Sequence, residues 1–139
     1  MQNNLFSKFN DRGYIFQCTN AENIEALLNK SNIKFYIGFD CTAKSLHVGS
    51  LIQIMCLRLL QKFGHTPVVL LGGGTTLIGD PSGKDESRKI LSEKEINKNI
   101  KNIKKVFLKF LKSSGKNKVI FVINDFMFFN LYMNLLSNS

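Results

Sequence analysis

Three short apolar runs, Lys34 to Phe39 (KFYIGF), Pro67 to Leu71 (PVVLL) and Val119 to Ile123 (VIFVI), are separated by stretches of helical periodicity. This alternation constrains the fold more than any other feature of the chain. Strands that alternate with helices pair through right-handed βαβ crossovers and build a parallel sheet, so the expected class is α/β. The first crossover carries Val48 to Phe63, a strongly apolar helix closed by Gly64 as its C-terminal glycine. In the second, Ser92 and Glu95 form a capping box, and Ile96, Ile100, Ile103, Phe107 and Phe110 recur at spacings of four and three. Another helix is expected upstream, beginning at Thr19 or Asn20 with Glu22 completing a capping box, carrying Ile24, Leu27 and Leu28, and stopping near Lys30.

A chain of 139 residues supports one hydrophobic core, and two full catalytic domains do not fit. There is no internal repeat and no Pro- or Ser-rich linker, and Pro67 and Pro81 both fall outside the helical patterns. Cys18, Cys41 and Cys56 are an odd set without C-x-x-C spacing, which points neither to a disulfide framework nor to a cysteine zinc site. A reducing, cytoplasmic compartment is the expectation, with no protein-bound metal. Met1 to Asn20 lacks an apolar core of signal-peptide length, and no apolar run approaches the roughly 20 residues that span a bilayer, so a soluble chain with no membrane partner is expected. The aromatic and apolar tail from Phe126 to Leu136 is too short to cross a membrane and reads as buried material that wants a partner.

The net charge of +9 favours polyanionic partners such as nucleotides or nucleic acid. Twelve basic and four acidic residues lie between Lys84 and Lys118, so this segment holds all but one unit of the excess. Its lysines fall on the faces of the helix that the apolar residues leave free. Such a run reads either as a solvated helix face or as an RNA contact.

Ligands of open parallel sheets bind outside the carboxyl ends of the strands. The first strand runs into Gly38-Phe-Asp40-Cys-Thr42, and the second into Gly72-Gly-Gly-Thr-Thr-Leu-Ile-Gly-Asp-Pro-Ser-Gly-Lys84, so both loops leave the same edge. Glycines let backbone N–H groups approach an anion, and Lys84 is placed to neutralise charge. The established phosphate motifs nevertheless fail: Ile78 and Asp85 break the Walker A spacing, and Leu77 stands where a dinucleotide fingerprint needs its third glycine. Ser45-Leu-His47-Val-Gly49-Ser50-Leu51 is a better nucleotide candidate. A helix N-terminus favours phosphate, His47 can donate to it, and Gly49 leaves room for a flat ring near the backbone.

Tyr36-Ile-Gly38-Phe-Asp40-Cys-Thr42-Ala-Lys-Ser-Leu-His47-Val-Gly49-Ser50-Leu51 resembles the first signature of class I aminoacyl-tRNA synthetases in its bacterial tyrosyl form. Leu71-Gly-Gly-Gly-Thr75-Thr-Leu-Ile-Gly79-Asp80-Pro-Ser-Gly83-Lys84-Asp-Glu-Ser-Arg88 is similar to the second tyrosyl-type segment, and Arg12-Gly-Tyr-Ile-Phe-Gln-Cys-Thr19 to the family's N-terminal helix-and-turn region. The likeness runs from about residue 5 to 124 and corresponds to about the first third of a family member. It implies a partial Rossmann-like parallel sheet with flanking helices, the N-terminal half of a class I catalytic domain. Residues 1–33 would then be an N-terminal helical region, 34–125 that half-domain, and 126–139 a divergent or truncated tail.

The resemblance implies tyrosine–tRNA ligation: activation of tyrosine with ATP to tyrosyl-adenylate, then transfer to tRNA(Tyr). Mg²⁺ would travel with the nucleotide, and a homodimer is the family habit. By resemblance Thr42 and His47 contact the departing pyrophosphate, joined by Lys84 and Arg88. Tyr36 hydrogen-bonds the substrate phenol, Thr75 and Asp80 hold its ammonium, and Gly38, Asp40, His47, Gly49 and Ser50 line ATP or the adenylate. Plainer readings stand beside these. Tyr36 is otherwise a packed core residue, Asp80 before Pro81 a turn former, Lys84 and Arg88 solvent charges, and His65 is read as a structural turn residue.

Departures from the pattern are specific. Ser50 stands where the signature has a second histidine, Gln53 where a ribose-contacting threonine occurs, Cys41 for a proline and Thr76 for a glycine. No KMSKS-type lysine loop and no Tyr-x-x-x-Gln-x-x-Asp-type segment is present. The expectation is therefore an amino-terminal piece of a synthetase, weak or inert by itself. The alternatives are a non-catalytic nucleotide- or RNA-binding module derived from that fold, and a truncated reading frame that does not fold alone.

Overall fold

The computed structural model describes residues 4–30, 32–73 and 91–124. Its elements, in chain order, are α1 (Leu5–Asp11), α2 (Ala21–Leu28), β1 (Lys34–Asp40), α3 (Ser50–Lys62), β2 (Thr66–Gly72), α4 (Glu93–Phe107) and β3 (Ile120–Asn124). The strands form a parallel sheet in the order β1-β2-β3, with Asp40 in register with Gly72 and Gly72 with Asn124 at the carboxyl edge. Two right-handed crossovers stepping the same way across a sheet deliver their helices to the same face. Among the described residues only that face is covered. Phe39, Val69 and Leu71 are buried on it together with Ile54, Leu57 and Leu60 of α3 and Ile96, Ile100, Ile103 and Phe107 of α4. Phe107 is the hinge of this packing, its ring edge-on to Phe39 at 4.8 Å and to Phe121 at 6.1 Å.

The opposite face follows from the period of two along a strand. Lys34, Tyr36, Gly38 and Asp40 point away from the core and are exposed, and Val122 of β3 is exposed beside them. Lys34, Phe35, Tyr36, Val68, Leu70 and Val122 line a shallow, largely apolar hollow of about 300 Å³ there.

Local chemistry sets the helix ends. The expected capping box of α4 is present: the Ser92 hydroxyl accepts from the Glu95 N–H, and the Glu95 carboxylate accepts from the Ser92 N–H at 2.9 Å. α3 ends in a Schellman motif, with Gly64 at φ +90°, its N–H donating to Gln61 and the His65 N–H to Leu60. α2 starts from Asn20, one of the two expected caps, but without the expected capping box. Asn20 is its cap and accepts from the Asn23 N–H, so Glu22 sits one position too early for a box and lies in the first turn instead. α1 has too few apolar repeats to stand out in sequence; it holds its place through buried Leu5 and through Lys8, whose ammonium lies 4.9 Å over the Phe63 ring.

Polar anchors tie distant segments together. Gln61, buried in α3, donates to the carbonyls of Lys112 and Asn117 at 3.0 Å and accepts from the Lys112 N–H at 2.8 Å, while Asn117 donates back to the Gln61 carbonyl at 2.7 Å. His65 is more than the turn residue its sequence setting suggested. It is buried at the amino edge of the sheet, accepts from the Ile33 N–H and stands edge-on to Phe35. Burial pushes its pKa down from 6.5, against a hydrogen bond with the Leu28 backbone.

Candidate functional site

At the carboxyl edge, β1 delivers Tyr36, Gly38 and Asp40 to the open face, in that order toward the edge. Tyr36 is 73% exposed, which removes its reading as a packed core residue. Gly38 has an ordinary φ, and a Cβ built on it would meet nothing within 4 Å among the described residues. A glycine weakens a strand interior, and neither turn geometry nor a neighbouring side chain of the described fold calls for this one.

The loop after β1 begins with Cys41, whose side chain is fully buried while the next residues, Thr42 to Ser45, are exposed. Burial, and after it the Asp40 carboxylate, pushes the Cys41 thiol up to about 11, against Lys104. It is a protonated packing group and not a nucleophile. Its carbonyl accepts from the Nδ2 of Asn99, buried on α4, at 2.9 Å. Asn99 did not stand out in sequence, where it reads as one more polar residue in a lysine-rich helix. Its only local signal is its place beside Ile96, Ile100 and Ile103 on the buried arc.

His47 organises the start of α3. Its Nδ1 accepts from the Gly49 N–H at 3.1 Å and its carbonyl accepts from the Ser50 N–H at 2.9 Å. A ring nitrogen that accepts carries no proton, so the neutral ring keeps its proton on Nε2. His47 and Gly49 are both exposed, Ser50 is half-buried, and no side chain caps the helix by the usual hydroxyl or carboxylate bond. Gly49 also lies close under the imidazole, where a Cβ would sit 3.4 Å from Nδ1. The helix thus offers positive backbone charge beside an N–H donor on an exposed ring, an arrangement suited to phosphate oxygens.

The structure therefore brings Tyr36, Gly38, Asp40, Thr42, His47, Gly49 and Ser50 onto one continuous stretch, from the open sheet face across the loop to the start of α3. Thr75, Asp80, Lys84 and Arg88 lie outside the described residues, although their segment leaves β2 at Gly72, in register with Asp40. Among the described residues no cluster of three His, Cys, Asp or Glu side chains is placed to hold a metal ion, and no helix is long and apolar enough to cross a membrane. The cysteines are free.

The family model for class I tRNA synthetases (W and Y) matches residues 28–136. The tyrosine–tRNA ligase of Pelagibacter ubique is 63% identical over 123 residues, 88% of this chain and 30% of the relative, and that of Rickettsia bellii is 51% identical over 129 residues, 92% and 31%. The chain spans about 30% of the length of these curated relatives. The crystal structure of a C-terminally truncated mitochondrial tyrosyl-tRNA synthetase from Coccidioides posadasii superposes with a TM-score of 0.70 at 25% identity, covering 96% of this chain and 37% of that one. The corresponding Aspergillus nidulans structure reaches 0.74 at 21% identity, a likeness of fold.

Proposed function

Since the chain belongs to the class I tRNA synthetases (W and Y), we propose that the stretch from Tyr36 to Ser50 is the ATP- and tyrosine-binding half-site of a tyrosine–tRNA ligase. The observation that carries this reading is the Gly49 N–H bond to Nδ1 of His47, which leaves Nε2–H as a donor at the N-terminus of α3. The bare Gly38 supports it, because a strand glycine that serves no neighbour fits a ligand lying flat against the backbone.

The chemistry needs no protein nucleophile. The tyrosine carboxylate attacks the α-phosphorus of ATP; the new bond joins carboxylate oxygen to phosphorus, and the bond to the β-phosphate oxygen breaks, releasing pyrophosphate. Hydroxyl attack from the terminal adenosine of tRNA(Tyr) on the adenylate carbonyl then releases AMP. What the protein supplies is position and compensation of the charge gathering on pyrophosphate. His47 Nε2–H and the Thr42 hydroxyl face that charge, with Lys84 and Arg88 as further cations from the segment after β2. Tyr36 meets the substrate phenol, Thr75 and Asp80 its ammonium, and Asp40, Gly49 and Ser50 the nucleotide. Ser50, in place of a second signature histidine, offers one hydroxyl donor. Mg²⁺ accompanies the nucleotide phosphates as part of the substrate. Free cysteines fit a reducing, cytoplasmic compartment, and the homodimer of the family is carried over by likeness alone.

Calorimetric titration of the 139-residue chain, in the presence of tyrosine and Mg²⁺, with a non-hydrolysable ATP analogue that keeps all three phosphates tests the reading. Saturable binding, weakened roughly 10–100-fold in His47→Ala as for a lost hydrogen bond to a charged group, is expected. No binding by the folded chain, or equal binding by the variant, would overturn it.

A further inference from the structure

On α4 the side chains of Lys94, Lys98, Lys101 and Lys105 are exposed and follow one another at spacings of four, three and four. At about 100° per residue they fall within an arc of about 60°, directly opposite the buried arc of Ile96, Asn99, Ile100, Ile103 and Phe107. Among the described residues none of these four ammonium groups has an ion-pair partner. Lys104, by contrast, lies 5.5 Å over the Phe121 ring, off the stripe. Glu93, Lys94, Asn97, Lys98 and Lys101 border a shallow groove of about 530 Å³, four of whose five residues carry no negative charge. Like charges three and four residues apart repel along a helix, so the pattern works against α4 in isolation.

We propose that this stripe is a phosphate-backbone surface for RNA, separate from the substrate half-site. It runs about 16 Å along the helix, long enough to follow several successive phosphates. The Asn99 bond to Cys41 places the N-terminal half of α4 beside the loop after β1, so the stripe starts at the edge where the half-site lies and leads away from it. An RNA whose 3′ end reaches that edge has a cationic track for its stem. The class of partner rests on the function proposed above; the surface rests on the geometry of α4. A lipid surface fits less well, because membrane-bound amphipathic helices insert their apolar face and that of α4 is committed to the core.

The test uses the full chain and a fluorescein-labelled 12-base-pair RNA hairpin with a single-stranded 3′ tail, followed by anisotropy across a salt series. The quadruple variant Lys94→Gln, Lys98→Gln, Lys101→Gln, Lys105→Gln is compared with a charge-matched control, Lys30→Gln, Lys62→Gln, Lys116→Gln, Lys118→Gln, with circular dichroism melts on both. Expected is a fall of roughly tenfold or more in low-salt affinity and of about three in the slope of log K against log salt for the stripe variant, with the control close to the parent. Should the quadruple variant melt early, the pair Lys98→Glu, Lys101→Glu reads the same stripe. Equal losses in stripe and control variants, no RNA binding by the parent, or binding to phosphatidylserine vesicles in place of RNA would overturn the proposal. Titration of the same variants with the ATP analogue separates this outcome from failure of the half-site, since the stripe does not line it.

Discussion

Asn99 of α4 and Cys41 of the loop after β1 stand 58 positions apart in sequence, and the Asn99 amide donates to the Cys41 carbonyl at 2.9 Å inside the core. Through this bond the second crossover helix holds the backbone from which the candidate half-site departs. Asn99→Leu leaves a buried carbonyl without a donor and is expected to cost about 1–3 kcal/mol, read by urea denaturation. It is also expected to weaken binding of a tyrosyl-adenylate analogue, whereas a merely local change on α4 would leave that binding alone.

Gly38 separates stability from function in the other direction. Ala is expected to leave stability unchanged or slightly raised, since a Cβ meets nothing within 4 Å among the described residues. Adenylate-analogue affinity is expected to fall. Parallel melts and titrations of Gly38→Ala check both halves, and an unchanged affinity would count against a ligand lying over β1.

Phe107 joins the rings of β1 and β3 and is wholly buried. Phe107→Ala is expected to lose about 3–5 kcal/mol through transfer and cavity terms. Gln61→Leu strands the backbone groups of Lys112 and Asn117 that it bridges, and is expected to cost about 2–4 kcal/mol.

The depressed pKa of His65 gives stability a sign with pH. Burial favours the neutral ring, so the unfolded chain takes up the proton first as pH falls below 6.5. The stabilising contribution is complete above that value and is lost through the window from 6.5 down to the folded pKa. Urea midpoints at pH 7.5 and 5.5 are expected to differ less in His65→Gln than in the parent chain.

Thiol accessibility provides another check. Cys41, buried and held protonated with a pKa of about 11, is expected to react with Ellman's reagent only on unfolding. The half-buried Cys18 is expected to react first, ahead of Cys56, whose pKa burial also raises.

The parts of this fold that sequence revealed are those whose causes are local. KFYIGF, PVVLL and VIFVI mark β1, β2 and β3 to within a residue or two, and Ser92, Glu95 and Gly64 announce the ends of α4 and α3. The sharing of one face by Tyr36, Gly38 and Asp40 comes from the structure of β1, whose outward positions alternate with half-buried or buried ones. Thr19 and Asn20 both stood as caps in the sequence; Asn20 takes the position, which leaves Glu22 in the first turn without a box. Asn99, Gln61 and His65 were not legible as anchors, since their partners lie 58, 51 to 56 and 32 residues away and no spacing rule reaches that far. The His47 ring bond depends on a rotamer, which residue order does not specify.

The central claim is that His47 presents Nε2–H to a nucleotide at the start of α3. The chain has only two histidines, so long-range ¹H–¹⁵N spectra, assigned with His47→Gln, resolve both rings. Before ligand, His47 is expected as the Nε2–H tautomer with an accepting Nδ1; adding ATP with Mg²⁺ and tyrosine is expected to shift its resonances and leave those of His65 in place. A His47 ring protonated on Nδ1 alone, or one whose signals stay fixed at saturating ATP and tyrosine, would contradict the account.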